Sequence, residues 1–284
     1  MKNTKGIILA GGSGTRLRPI TSGVCKPLLP IYNKPTIFYP LSILIESGIK
    51  DILIISDKSN VKSFENLFGN GSELGLNICY KVQEKPNGLA EAFIIGEDFI
   101  GNDDVCLILG DNIIHGPKID LSLNKGCKVF GYRVSDPRAY GCIEFNNSKI
   151  ISIEEKPENP KSNTALIGLY CFDSGCVQKA KSLKPSKRNE LEIVDLIKLY
   201  SYDDIEFTLL SGYAWFDSGT PDSLLQVSNY VQAIEQRQGI NIGHLEILCF
   251  SKGLISLDNL VEFAHTKYRN SEYGKSILKF VEEI

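Results

Sequence analysis

Apolar positions along this chain keep two rhythms, and the alternation between them predicts its architecture. Ile7-Ile8-Leu9-Ala10, the DILIIS run at 51–56 and the VCLILGD run at 105–111 are short and nearly unbroken. Strands that alternate bury only one face, so unbroken runs of this length predict strands covered on both sides. Between them, apolar residues recur every three or four positions. That spacing predicts helices over Thr36–Ser47, stopped by Gly48, over 61–68 and over Leu89–Phe99. Ile78–Val82 reads as a further strand. A strand–helix–strand order of this kind implies a parallel sheet with helices on both faces.

Beyond residue 125 the rhythm changes. Lys128–Val134, Cys142–Phe145, Ile150–Glu154 and Ala165–Phe172 read as strands with little helix between them, which predicts a mixed sheet or a β-rich lid. Asn189–Tyr200 has helical spacing, Glu206–Leu210 reads as a strand, and from about 221 the pattern is mostly helical. No linker rich in Gly, Ser or Pro divides the chain and no repeat is present. The expectation is one α/β domain over 1–284, with parts at about 1–115, 116–220 and 221–284.

Composition narrows the function. The 284 residues are 43% hydrophobic and 23% charged, ordinary for a globular protein. A net charge of −3 argues against a general nucleic-acid binder, so any phosphate ligand must be held by local cations. The first apolar run is too short for a signal peptide and none approaches a membrane span, so the expected location is the cytoplasm. Eight cysteines without a Cys-x-x-Cys pair, and three histidines, do not suggest zinc. The cysteines read as reduced, small hydrophobic residues; Cys25, beside Lys26, is the one placed to be a reactive thiol.

The densest chemistry follows the first strand. Gly11, Gly12, Ser13, Gly14 and Thr15 form a turn in which three glycines allow close backbone approach to a ligand and several N–H groups can face one anion. Arg16 and Lys26 suggest that the anion carries more than one charge, as a nucleoside triphosphate does. The turn lacks the Lys of a P-loop and has Leu17 where a dinucleotide fingerprint needs a third glycine. Asp111 and Asp217 follow two other apolar runs. Near a triphosphate they read as Mg²⁺ ligands, and alone as caps of turns. Glu155 and Lys156 end another strand, where they suit a sugar hydroxyl and a phosphate, or simply a charged strand terminus. Gln83 offers a donor beside an acceptor, the complement of the N3–H and O4 of thymine or uracil, though a lone Gln is commonly a surface residue.

Taken together, GIILAGGSGTRLRP, KPLLP, QEKPNGLAEAF, LILGDN, YGCIEF, EEKPENPKSN, GLYCFD, PSKRNELEIVD and AWFDSGTPDSLL resemble the glucose-1-phosphate thymidylyltransferases, sugar-nucleotide pyrophosphorylases of the nucleotidyltransferase superfamily. The resemblance runs from residue 5 to the closing YGKSILKFVEEI. It implies a Rossmann-like, three-layer α/β fold with a mixed, mostly parallel sheet, a β-rich sugar-binding part and a helical C-terminal appendage. It also implies a reaction, in which glucose 1-phosphate attacks the α-phosphorus of dTTP and pyrophosphate leaves. Gly11, Gly12, Ser13, Gly14, Thr15 and Arg16 would then cradle the triphosphate and Lys26 would contact the reacting phosphates. Asp111 and Asp217 would hold Mg²⁺, and Gln83 and Gly88 would read the pyrimidine. Asn112, Gly141, Glu155, Leu166 and Tyr170 would line the sugar pocket, while Lys156 and Arg188 would grip its phosphate. Arg16, Lys26, Lys156 and Asp111 are the catalytic set. The resemblance further implies a homotetramer, with the C-terminal helices supplying subunit contacts and a regulatory nucleotide site.

Two departures stand out. The family usually has Gln where this chain has Pro27, which offers no side-chain hydrogen bond and weakens the choice of dTTP over UTP. INIGHLEILCF, after Arg237-Gln238-Gly239, is more apolar than the family's segment. The competing readings are a uridylyltransferase or an enzyme for another sugar 1-phosphate, a glycosyltransferase consuming a nucleotide sugar, and a non-catalytic nucleotide-sugar sensor. Asp111-Asn112-Ile113 lacks the Asp-x-Asp of the glycosyltransferase, and the cations of the glycine turn disfavour the sensor.

Overall fold

A computed structural model of the chain describes residues 3–12, 14–147 and 149–284. Among these, nine strands build one sheet. Its parallel half is ordered Asp104–Leu109, Thr4–Leu9, Asp51–Ser56, Asn77–Val82. The unbroken apolar runs occupy this half because helices cover both of its faces. One face carries Ile8, Ile52, Ile54, Cys106 and Ile108; the other carries Ile7, Leu9, Leu53, Ile55, Val105 and Leu107.

The β-rich second half continues the same sheet. Thr164–Phe172, buried along its whole length, pairs antiparallel with Asp104–Leu109, with Cys127–Arg133 and with Gly141–Asn146. Gly141–Asn146 pairs with Lys149–Glu155 in a hairpin, and Ile205–Leu209 runs parallel to Cys127–Arg133. The expected α/β class and mixed sheet are both observed.

Some helices are shorter than their spacing predicts. Leu89–Phe99 is two short helices, Glu91–Ile95 and Glu97–Ile100, divided at Gly96. A Cβ there would lie 3.1 Å from Ile7 and 3.3 Å from Leu53, so the helix pair packs tightly on the sheet at this glycine. Asn189–Tyr200 is helical only over Ile193–Ile197. Its first residues are recruited elsewhere: the Leu191 N–H donates to Asn87 O at 2.6 Å, and Leu191 O accepts from the Ala90 N–H at 3.1 Å. The helix Cys176–Ser182 has no counterpart in the periodicity reading.

Of the C-terminal helices, Pro221–Gln238, Leu257–His265 and Glu272–Glu282 are capped by hydroxyls, while Leu245–Ser251 follows His244 without a side-chain cap. Thr220 and Ser256 make reciprocal capping boxes, and Ser271 accepts from the Gly274 N–H. No helix among the described residues is long and apolar enough to cross a membrane.

Candidate active site

Three loops converge at the carboxyl ends of the parallel strands. The first is the glycine turn, where Gly12 and Gly14 take φ of 110° and 53°. Its Ser13 lies outside the described residues. The second is Gly110-Asp111-Asn112. The third, Asp217-Ser218-Gly219, is delivered by a short antiparallel pair in which Ala214, Trp215 and Phe216 oppose His115, Ile114 and Ile113. That register brings two stretches about a hundred residues apart side by side, and Ser218 Oγ donates to Asp111 O at 3.2 Å.

Lys26 ties the two acidic loops together. Its ammonium, on a side chain only 12% exposed, donates to the Asp111 carboxylate and to the Asp217 carbonyl, the latter at 2.6 Å. Asp217 is itself oriented: Oδ1 accepts from the Gly219 N–H at 3.2 Å and Oδ2 from the Tyr140 hydroxyl at 3.2 Å. Arg16 closes the ring, since a Cβ on Gly219 would stand 2.8 Å from its Nη2 and 3.2 Å from Asp217 Oδ2. Burial and the Asp217 charge push the Tyr140 phenol up to about 12, so it stays a donor throughout the neutral range.

Two clefts meet at Gly11, Gly12 and Lys26. One, of about 490 Å³, extends past Asp57, Ser59 and Asn60 to Gln83. The other, of about 460 Å³, holds Gly14, Thr15, Arg16, Asp111, Lys156 and Gly219, with Pro27 as part of its wall. The expected triphosphate residues thus lie between two adjoining chambers.

Gln83 is buried, and its Nε2 donates to Glu91 Oε2 at 2.7 Å and to Gly88 O at 3.3 Å. Of the donor and acceptor expected side by side, the carbonyl oxygen faces Gly11, where a Cβ would come within 3.5 Å. Gly88 has φ of 107°, and a side chain there would collide with the Leu191 backbone.

The residues expected to line a sugar pocket share one region of the antiparallel half. Glu155 pairs with Gly141, Gly141 with Leu166, and Leu166 with Gly131, forming one rung across four strands. Leu166 and Tyr170 are buried on the same sheet face. Asn112 is buried too; its Oδ1 accepts from the Trp215 indole at 2.7 Å and the Gly168 N–H at 3.2 Å, while Nδ2 donates to Asp111 Oδ1 at 2.9 Å. Burial raises the Glu155 carboxyl above its usual range, against the pull of Lys156 and Arg188. Lys156 adopts φ of 41° and lines the second cleft. Arg188 stands apart from both clefts, bound by Glu155 at 2.9 Å and Glu192 at 2.7 Å.

Sequence reasoning missed Tyr140, Trp215, Gly168 and Glu91 as organisers. Tyr140 directly precedes Gly141 and Trp215 precedes the acidic loop, so proximity to a motif was the available signal. Cys25 is buried and burial pushes its thiol up to about 11, which disfavours the thiolate that a reactive cysteine needs near neutral pH.

A family model described as nucleotidyl transferase matches residues 5–234. A glucose-1-phosphate thymidylyltransferase of Neisseria meningitidis is 48% identical, over 98% of this chain and all of its own length. One from Xanthomonas campestris is also 48% identical, over 97% of this chain and 96% of its own. A Bacillus anthracis structure provisionally described as a glucose-1-phosphate thymidylyltransferase, solved with sucrose, superposes with a TM-score of 0.74 at 40% identity, covering 80% of this chain and 94% of the other. A UDP-glucose pyrophosphorylase solved with UDP-glucose gives 0.71 at 26% identity, covering 82% of this chain and 99% of the other.

Proposed function

The chain belongs to the nucleotidyl transferase family, and from that premise we propose that it transfers a deoxythymidylyl group from dTTP to α-D-glucose 1-phosphate, yielding dTDP-glucose and pyrophosphate. Relatives at 48% identity over nearly the whole chain carry that name. The observation that carries the reading is the convergence of Arg16 and Asp111 in the second cleft with Lys26, which stands where the two clefts join and bonds both Asp111 and the Asp217 carbonyl.

The chemistry asks little of acid–base groups. The nucleophile is a phosphate oxygen that is already anionic, so no side chain needs to remove a proton. The barrier lies in bringing two polyanions together. Positioning and charge neutralisation lower it in transfers of this kind. The turn from Gly11 to Thr15 offers backbone donors to the triphosphate, with Arg16 neutralising its tail. Lys26 stands at the junction to contact the phosphates on either side of the reacting atom, and Lys156 faces the same cleft from the sugar side. The rung of Glu155, Gly141 and Leu166, with Asn112 and Tyr170, forms the sugar wall. Arg188 holds Glu155 in place beside it.

Asp111 and Asp217 fit a divalent cation, Mg²⁺ in this proposal. They are two hard-oxygen carboxylates on loops that Lys26 joins through the Asp111 carboxylate and the Asp217 backbone carbonyl, and among the described residues no group of three or more such ligands forms. Such a pair suits an ion that completes its shell with substrate phosphate and water. The ion, when bound, offsets negative charge on the phosphates. A homotetrameric assembly and a cytoplasmic location belong to the same proposal.

Uridylyl transfer is the second reading. Gln83 meets an edge that thymine and uracil share, and Pro27 adds an apolar wall without a hydrogen bond. A 5-methyl group in an apolar pocket is worth only about 1–3 kcal/mol of discrimination.

Pyrophosphate release from dTTP or UTP with glucose 1-phosphate decides between them. The expected result is turnover with both substrates present, faster with dTTP. Asp111→Asn should lower kcat by about a hundredfold or more, with the thermal transition near that of the wild type. Near-normal turnover of that variant would remove Asp111 from the reacting centre.

A further inference from the structure

We propose that Glu91 is a positioning residue that fixes the amide of Gln83 with its oxygen toward the base, so that the enzyme demands an N3–H and rejects cytosine. The proposal rests on the pyrimidine-nucleotide reading above and names what sets its base choice.

A glutamine amide can sit in either of two orientations that swap its donor and acceptor. Here both partners of the amide nitrogen are acceptors. The Gln83 Nε2 donates one hydrogen to Glu91 Oε2 at 2.7 Å and the other to the Gly88 carbonyl at 3.3 Å. Turned over, the amide oxygen would face a carboxylate and a carbonyl, losing both bonds and meeting two repulsions. The other oxygen of Glu91 accepts from Asn87 Nδ2 at 2.8 Å, so the carboxylate is held at both ends. Its place is set by the fold: Glu91 opens the helix Glu91–Ile95, and Leu191 pins the preceding segment through Asn87 and Ala90.

The Gln83 carbonyl oxygen is therefore what this side chain presents, on the side of Gly11, at the wall of the first cleft. Thymine and uracil bring an N3–H to such an acceptor. Cytosine in the same pose brings a bare N3 lone pair. To offer its amino group instead, it would have to shift against a triphosphate already held by the glycine turn. The same acceptor cannot separate dTTP from UTP, so Glu91 governs one axis of selectivity and leaves the other alone.

The test measures kcat/KM for dTTP, UTP and dCTP, with glucose 1-phosphate, in the wild type, Glu91→Gln and Glu91→Asp. Glutamine keeps the size of Glu91 but can donate, which allows Gln83 to turn over. The expected result is a rise of about tenfold in the dCTP-to-dTTP ratio for Glu91→Gln, with the UTP-to-dTTP ratio unchanged. Glu91→Asp, which still only accepts, should keep the wild-type ratio even where overall activity falls. An unmoved ratio in Glu91→Gln, or equal rises in both variants, would overturn the proposal. So would a wild type that uses dCTP within about threefold of dTTP, a result that needs no variant to fold. A wild type inactive with dTTP and UTP alike would instead sink the underlying functional reading.

Discussion

Asp57 shows how one side chain shapes the rim of the first cleft. It follows the strand Asp51–Ser56 and accepts from the backbone N–H groups of Ser59 at 3.0 Å and Asn60 at 3.1 Å, and from Asn60 Nδ2. Partial burial works to raise its pKa, but the Ser59 hydroxyl, foremost, and these other donors outweigh it, and the folded value lies below the ordinary 3.8. In the acid range the unfolded chain therefore binds the extra proton more readily. The stabilisation is fully present above the unfolded value and is lost as pH falls through the folded one. Asp57→Asn should lower stability by roughly 1 kcal/mol at pH 7, and the gap should narrow as pH falls below the ordinary 3.8. Urea unfolding at pH 7, 5 and 3 measures it, and a gap independent of pH would show that the charge is immaterial. Asp57 was invisible in the sequence because its role depends on a local turn. Gly11, Gly12, Gly14 and Arg16 were legible because the glycine spacing is local too. Asp111 and Asp217 could be named as strand-end carboxylates, but their meeting depends on the pairing of Ile113–His115 with Ala214–Phe216, which no local pattern encodes.

At the scale of elements, the long helix Pro221–Gln238 is anchored by a buried charge. Lys34, on the small ribbon of Pro30–Ile31 and Lys34–Pro35, bonds Glu235 at 2.9 Å with its side chain 1% exposed. Burial lowers the Lys34 pKa, and Glu235 works against that shift. Glu235 Oε1 also accepts from the Ile242 N–H at 3.0 Å, so the pair holds the turn beyond the helix as well. Removing one partner strands the other's charge out of water. Lys34→Met should cost about 3–5 kcal/mol, and Lys34→Met with Glu235→Met should recover most of it. Equal losses in the single and double variants, by chemical denaturation, would show that packing and not charge dominates. Element boundaries were most legible where burial follows one local rhythm, as at Val61–Phe68. They were least legible at Gly96, where close packing on a distant strand divides a helix, and at Leu191, whose bonds to a distant loop delay the start of one.

For the molecule as a whole, the C-terminal helices are part of the main core. The family model ends at residue 234, yet relatives match almost the entire chain. The packing explains that continuity. Leu245, Ile247, Cys249, Leu260, Phe263, Tyr273 and Ile277 share one apolar cluster with Phe38, Phe68 and the sheet residues Ile8, Ile52 and Ile54. Phe38 meets the Phe68 ring at 5.6 Å and the Tyr273 ring at 6.1 Å. Glu246, buried among these helices, accepts from Tyr268 at 2.7 Å and Tyr273 at 2.6 Å, so its carboxylate ties Leu245–Ser251 to Glu272–Glu282 and to the turn before it. A chain ending at Gln238 would uncover the side of the helix Phe38–Glu46 that these helices cover, and with it the apolar cluster around Phe38 and Phe68. Burial of Leu245, Ile247, Leu260, Phe263 and Ile277, at about 1.5–3 kcal/mol each, is as large as the roughly 5–15 kcal/mol by which a domain is stable. The truncated chain should lose its cooperative thermal transition, bind a hydrophobic dye and aggregate at concentrations where the full chain stays dispersed. A truncated chain that melts cooperatively and stays monodisperse would mean that the sheet and the first helices suffice. The helical appendage would then be a separate layer, free to serve assembly or regulation without holding the fold.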